Sequence, residues 1–191
     1  MRFTARLSIA VVTMWFLSGY PLSDPGAREA AAADVTMSDV SAGYALLYEV
    51  VSKQKRSNLL SFIKKEPPEV KALLGRISET SKATADELET LAKASPPLDL
   101  KLTQLPRIER ATRDSIEKET SKDVLVSKGV DLEFAMLSSQ LAGLNYAAHL
   151  ARSLAAVETG PARKDFLQRT DRRYSELRDQ VYKMIFTRYK D

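Results

Sequence analysis

The stretch from Val130 to Val157 constrains this chain more than any other part of it. Apolar side chains recur there at three- and four-residue intervals, through Val130, Phe134, Leu137, Leu141, Leu144, Ala148, Ala151 and Ala155, which places them on one face of a helix. A second row, Leu132, Met136, Ala147, Leu150, Leu154 and Val157, falls on another side of the same helix. A helix that is apolar on two sides needs neighbours on both. The spacing therefore predicts the inner helix of a bundle, roughly 40 Å long at about 1.5 Å per residue.

The flanking sequence supplies the neighbours. From Ser38 the chain reads as a helix, with Ser38 or Asp39 as its cap and Val40, Tyr44, Leu47, Val51, Leu59, Phe62 and Ile63 as its apolar face. Glu66-Pro67-Pro68-Glu69 ends it, because proline removes a donor and pushes its predecessor out of the helical region. A second helix begins at once, carries Val70, Leu73, Leu74, Ile77, Leu88 and Leu91 inward, and stops before Ser95-Pro96-Pro97. Two helices joined by so short a turn lie antiparallel. Residues 96–106, with leucines alternating with polar residues, read as an extended crossover laid over the bundle, since no second strand exists to pair with them. A short charged helix is expected over Arg107 to Glu119. The inner helix then starts around Ser121 to Asp123, loosened at Gly129, and ends at Thr159-Gly160-Pro161. A last helix, about Ala162 to Tyr189, carries Phe166, Leu167, Tyr174, Leu177, Val181, Met184 and Ile185 inward. The fold class is all-α: an antiparallel four-helix bundle with a long crossover and a short extra helix between the second and third helices.

Residues 1–33 read differently. Arg2 and Arg6 precede the apolar run Leu7 to Leu17, the charged and hydrophobic regions of a Sec-type signal peptide, followed by a segment without periodicity. The run is shorter than the roughly 20 residues a membrane-spanning helix needs. Either Ser18-Gly19 or Ala31-Ala32-Ala33 offers small residues for cleavage. A periplasmic or secreted protein is expected, with residues 34–191 forming one helical-bundle domain. Cysteine is absent, so disulfides, thiolate metal sites and covalent haem are excluded, and packing alone must hold the fold.

Chemistry is sparse. His149 is the only histidine, so any mechanism that needs two imidazoles fails. It falls on the polar strip between the two apolar rows, level with Asp171 on the last helix, where a His149–Asp171 contact would make a pH-sensitive pair. Carboxylate di-metal sites in bundles use Glu-x-x-His pairs, and Tyr146 stands three residues before His149. Nucleophile elbows backed by a site and glycine-rich phosphate loops are missing. No catalytic, cofactor-binding or metal residue is therefore assigned. Gln54 and Asn58 face the level of Ser81 in the first hairpin, giving a polar mid-bundle layer that is either a ligand site or a hydrogen-bonded layer that fixes register. The 29 Lys and Arg against 25 Asp and Glu leave a charge of +4, without runs of one sign. Arg163, Lys164, Arg169, Arg172, Arg173 and Arg178 crowd the last helix, but Asp165, Asp171, Glu176 and Asp179 alternate with them. That pattern suits a solvated face better than a nucleic-acid surface, and leaves weak membrane-surface contact through this Arg-rich helix as one option.

The segment Leu132-Glu133-Phe134-Ala135-Met136-Leu137-Ser138-Ser139-Gln140-Leu141-Ala142-Gly143-Leu144 resembles the exported bacterial proteins of the DUF4142 type. Glu133, Ala135 and Gln140 match in place, Leu132 and Met136 replace aromatic residues, and Leu144 stands at the family's histidine. The likeness extends to the layout from Ser38 onward, including Leu105-Pro106 before the short helix. It implies a ferritin-like bundle, exported and without an established activity, and the missing histidine weakens any transfer of a metal role. The expected function is that of a non-enzymatic protein of the periplasm or cell envelope, acting through its surface in binding or stress protection with a protein or envelope partner. The alternatives are a ferritin-like metal or cofactor protein with an atypical carboxylate site, and a peripheral membrane or chaperone-like module.

Overall fold

The structure, a computed structural model, describes residues 35–56, 67–102 and 104–189. The chain divides into the units Met1–Asp34 and Val35–Asp191, and all described residues belong to the second. The expected signal segment lies outside the described residues. Five helices are present, α1 (Met37–Gln54), α2 (Pro68–Ala92), α3 (Arg107–Val126), α4 (Gly129–Val157) and α5 (Pro161–Arg188), and no strand occurs among the described residues.

Thr36, not Ser38 or Asp39, caps α1. Its hydroxyl accepts from the Asp39 amide at 3.2 Å, while the Asp39 carboxylate accepts from the Thr36 amide at 3.0 Å, a reciprocal box in which Asp39 plays the third-position role. Ser38 is free to bond elsewhere, to Gln104 of the crossover. The expected continuation through Leu59, Phe62 and Ile63 lies outside the described residues. Pro68 opens α2 at its first position, where a missing amide hydrogen costs nothing. In the crossover, Leu98 and Leu100 are half-buried against the core and Leu102 is exposed.

α3 is longer than the sequence suggests, running on through 120–126, and α4 starts at Gly129 and not at 121–123. The break falls at Ser127 and Lys128, both extended, and is completed by Gly129 at φ +56°, a left-handed conformation that glycine adopts without steric cost. What reads as loosening at Gly129 is thus a true boundary between helices.

α4 is the inner helix. It packs most extensively on α5 and also meets α1 and α3, while α2 rests on α1 and α5. Both apolar rows are used: Leu137, Leu144, Ala148, Ala151 and Ala155 from one, Leu132, Met136, Ala147 and Leu154 from the other. Val130 and Phe134 are exceptions, 66% and 46% exposed, because only the last turn of α5 reaches them, with Phe134 edge-on to Tyr189 at 5.2 Å. The core is filled by Tyr44, Leu47 and Val51, by Leu73, Leu74, Ile77 and Leu88, and by Phe166, Leu167 and Tyr174.

Candidate functional site

The apolar ladders carry polar residues at their ends and middle. On α5 the inward series 163, 166, 167, 170, 174, 177, 181 begins with Arg163; on α4 Glu133 and Gln140 fall in the same register as Met136, Leu137 and Leu144, which Glu158 continues just past the helix; on α1 Gln54 follows Leu47 and Val51. Helical spacing alone therefore drives these polar groups into the interior, and burial obliges each to find a partner.

At one end, Tyr44 donates from its hydroxyl to Glu158 Oε2 at 2.7 Å, and Glu158 Oε1 accepts from the Gly160 amide at 2.7 Å. Burial, then the neighbouring Glu158 carboxylate, pushes the Tyr44 phenol well above its ordinary range. Arg163, 7% exposed, donates through Nη2 to the carbonyls of Leu91 in the last turn of α2 and of Ala94 and Pro96 just beyond it, tying the end of α2 to the start of α5. This part of the expected Arg-rich outer face is buried. Of the rest, Arg169 pairs with Glu87 and Asp165, and Arg178 with Asp179, while Arg172 and Arg173 are exposed.

Midway along, Tyr174 donates to the Ser81 hydroxyl at 3.0 Å, and burial raises its phenol to about 12. Ser81 is thus engaged by α5 and not by Gln54. Gln54 is buried against Gly143, where a β-carbon would stand 2.7 Å from its Nε2; no hydrogen-bond partner for either amide atom occurs among the described residues, nor for Oε1 of Gln140 one turn before Gly143. Ser78 of α2 donates its hydroxyl to the carbonyl of Lys55, just past α1, at 2.6 Å. Asn58, the third member of the expected layer, lies outside the described residues.

At the other end, Arg188 in the last turn of α5 pairs with Glu69 in the first turn of α2 and with Glu133 of α4. Glu133 is 5% exposed, and the pairing offsets the cost of burying its charge. The Tyr189 phenol rises to about 12 through burial and then the Glu133 charge.

His149 is exposed and does not contact Asp171. Both Asp171 oxygens are taken by Arg152, one turn beyond His149, at 2.9 Å each. The planar guanidinium fork matches a carboxylate bidentately, which a single imidazole nitrogen cannot do, so the longer side chain claims the partner. Among the described residues no group of three or more His, Asp or Glu gathers within metal-binding reach. A ferritin-like metal does not fit the residues at hand either: Leu144, at the histidine position, is fully buried in the apolar core, and Glu133 is held by Arg188. A surface crevice of about 260 Å³ between α2 and α5 is lined by Arg76, Glu79, Arg173 and Glu176, a mixture of signs that balances itself.

The chain matches no family model, no curated protein and no solved structure. The DUF4142 resemblance rests on the sequence segment alone. Tyr44, Glu133, Glu158, Arg163 and Tyr174 belong to no catalytic motif; the signal that places them inside is membership of the inward ladders.

Proposed function

We propose that this chain is an exported, non-enzymatic helical-bundle protein of the periplasm or cell envelope that acts through its surface, with its helices in an antiparallel, ferritin-like arrangement. Pairs running in opposite order support the arrangement: Tyr44 with Glu158 and Gln54 with Gly143 for α1 and α4, Glu69 with Arg188 and Ser81 with Tyr174 for α2 and α5. One observation carries the functional reading. The buried charged groups, Glu133, Glu158 and Arg163, are all bound to partners that fasten one element to another, Arg188, Tyr44 and the carbonyls at the end of α2. A carboxylate or guanidinium so engaged holds the fold together and is not poised to act on a substrate. Export is supported by the charged start and apolar run of residues 1–17. Expression of the intact chain in a bacterium, with fractionation and mass spectrometry of the product, tests it. Export with loss of the first residues is expected, and the same protein purified without a histidine tag should carry no stoichiometric metal. Full retention in the cytoplasm would overturn the first half of the reading, and one bound iron, manganese or zinc per chain the second.

A further inference from the structure

The polar levels of the interior are not equal. Tyr44 with Glu158, Ser81 with Tyr174 and Glu133 with Arg188 are each closed by a hydrogen bond or an ion pair. Where α1 ends against α4 the level stays open. Gln54, 6% exposed, presses its amide on Gly143, and neither Nε2 nor Oε1 has a hydrogen-bond partner among the described residues; Gln140 Oε1, one turn before Gly143, is buried without one too. Three amide atoms thus lose water and gain no partner, and each biases the closed seam toward opening by about tenfold. Packing does not call for an amide here. Leu47 and Val51 hold the preceding inward positions of α1, and an unbranched apolar side chain of the same length would fill the space beside Gly143 without that penalty.

The position is also one from which α1 can part. Gln54 is the last residue of the helix, so helical turns hold it from one side only. Toward α2 the end of α1 is tied by Ser78 donating to the Lys55 carbonyl, and toward α3 by Lys53 with Glu117. Toward α4 it meets a glycine, which has no side chain to hold it. α4 does not depend on this contact, because its most extensive packing is on α5. We propose that the α1–α4 seam is a built-in opening point: the end of α1 swings away from Gly143 and carries Gln54 into water, uncovering Gln140 Oε1, while α4 keeps its own backbone bonds. The bundle can then expose part of its inner helix without unfolding.

The chain has no cysteine, so Val51→Cys, fully buried one turn before Gln54, places a single thiol inside the end of α1. Labelling of that thiol by an aromatic disulfide reagent in the full-length protein reads the opening. Its rate is expected to exceed that of global unfolding and to change little in low concentrations of denaturant, since a local opening exposes little surface. In the same background Gln54→Met, which removes two of the partnerless atoms, should slow labelling about tenfold or more, and Gln140→Met, which removes one, by less, with the helical circular dichroism unchanged. If Val51→Cys weakens the fold, Ala147→Cys, fully buried one turn beyond Gly143 on α4, carries the same comparison. Labelling that proceeds only through global unfolding, or that either methionine variant leaves unchanged or makes faster, would overturn the proposal.

Discussion

α3 and α4 are consecutive helices separated by two residues, yet they belong to the fold in different ways. α4 buries ten of its 29 residues, nine of them drawn from the two apolar rows and the tenth Glu133. α3 buries one of 20, Val124, and leaves Ile108 and Ile116 largely exposed. Polar contacts at the periphery add to this, Arg113 over the Tyr146 ring at 5.3 Å and Lys53 to Glu117 at 2.7 Å. An isolated helix of this length is marginal in water, so α3 depends on a few surface contacts, whereas α4 is fixed by the core itself. Helix content and helix security are separate properties, and apolar rows on more than one side decide the second.

The contrast can be broken or sharpened by substitution. Leu144→Ala should cost about 3 kcal/mol in denaturant unfolding, since Leu144 is fully buried at the centre of the spine and the surrounding helices can collapse only in part. Arg188→Ala should cost nearly as much, about 3 kcal/mol, by leaving the Glu133 carboxylate buried without its partner; the value sits at the low end for such pairs because Arg188 is about a third exposed. Adding Glu133→Gln should recover about half of that loss, because the stranded charge is gone.

Tyr174→Phe should cost about 1 kcal/mol near neutral pH through the lost Ser81 hydrogen bond. It has a second signature. The Tyr174 phenol moves from 10.0 to about 12 on folding, so below pH 10 its contribution is complete. Between pH 10 and 12 the unfolded chain releases a proton that the folded chain retains, and stability falls as pH rises. Thermal unfolding should show this decline in the wild-type protein and a shallower one in Tyr174→Phe, with Tyr44, Tyr48 and Tyr189, raised in the same direction, contributing to the remainder. At the small end, Ile116→Lys on α3 should change stability by no more than about 0.5 kcal/mol, although the same change at a buried isoleucine would be ruinous.

Much of this was legible in the amino-acid order. The start of α2 at Pro68, the break at Gly160-Pro161 and the two rows of α4 follow from spacing and proline chemistry, whereas α1 ends at Gln54, ahead of the expected stop at Pro67. The boundary at Ser127 was not, because Ser121 to Val126 suits either helix and only the backbone shows Gly129 at positive φ. The apolar rows end where neighbours end, so Val130 and Phe134 continue the pattern yet stand in solvent. In the candidate site, Ser81 is buried, but its partner, Tyr174, sits 93 residues away on a helix that spacing could not align with it. His149 missed Asp171 because reach and shape, which sequence does not rank, favour Arg152.

Hydrogen exchange under native conditions, read helix by helix by mass spectrometry, tests the central contrast most directly. α4 amides around Leu137 to Ala151 should exchange only through global unfolding, at rates that Leu144→Ala accelerates in step with its loss of stability. α3 amides should exchange at least about a hundredfold faster and be unaffected by Leu144→Ala, because they open locally. Protection of α3 equal to that of α4, with both helices responding alike to Leu144→Ala, would contradict the account.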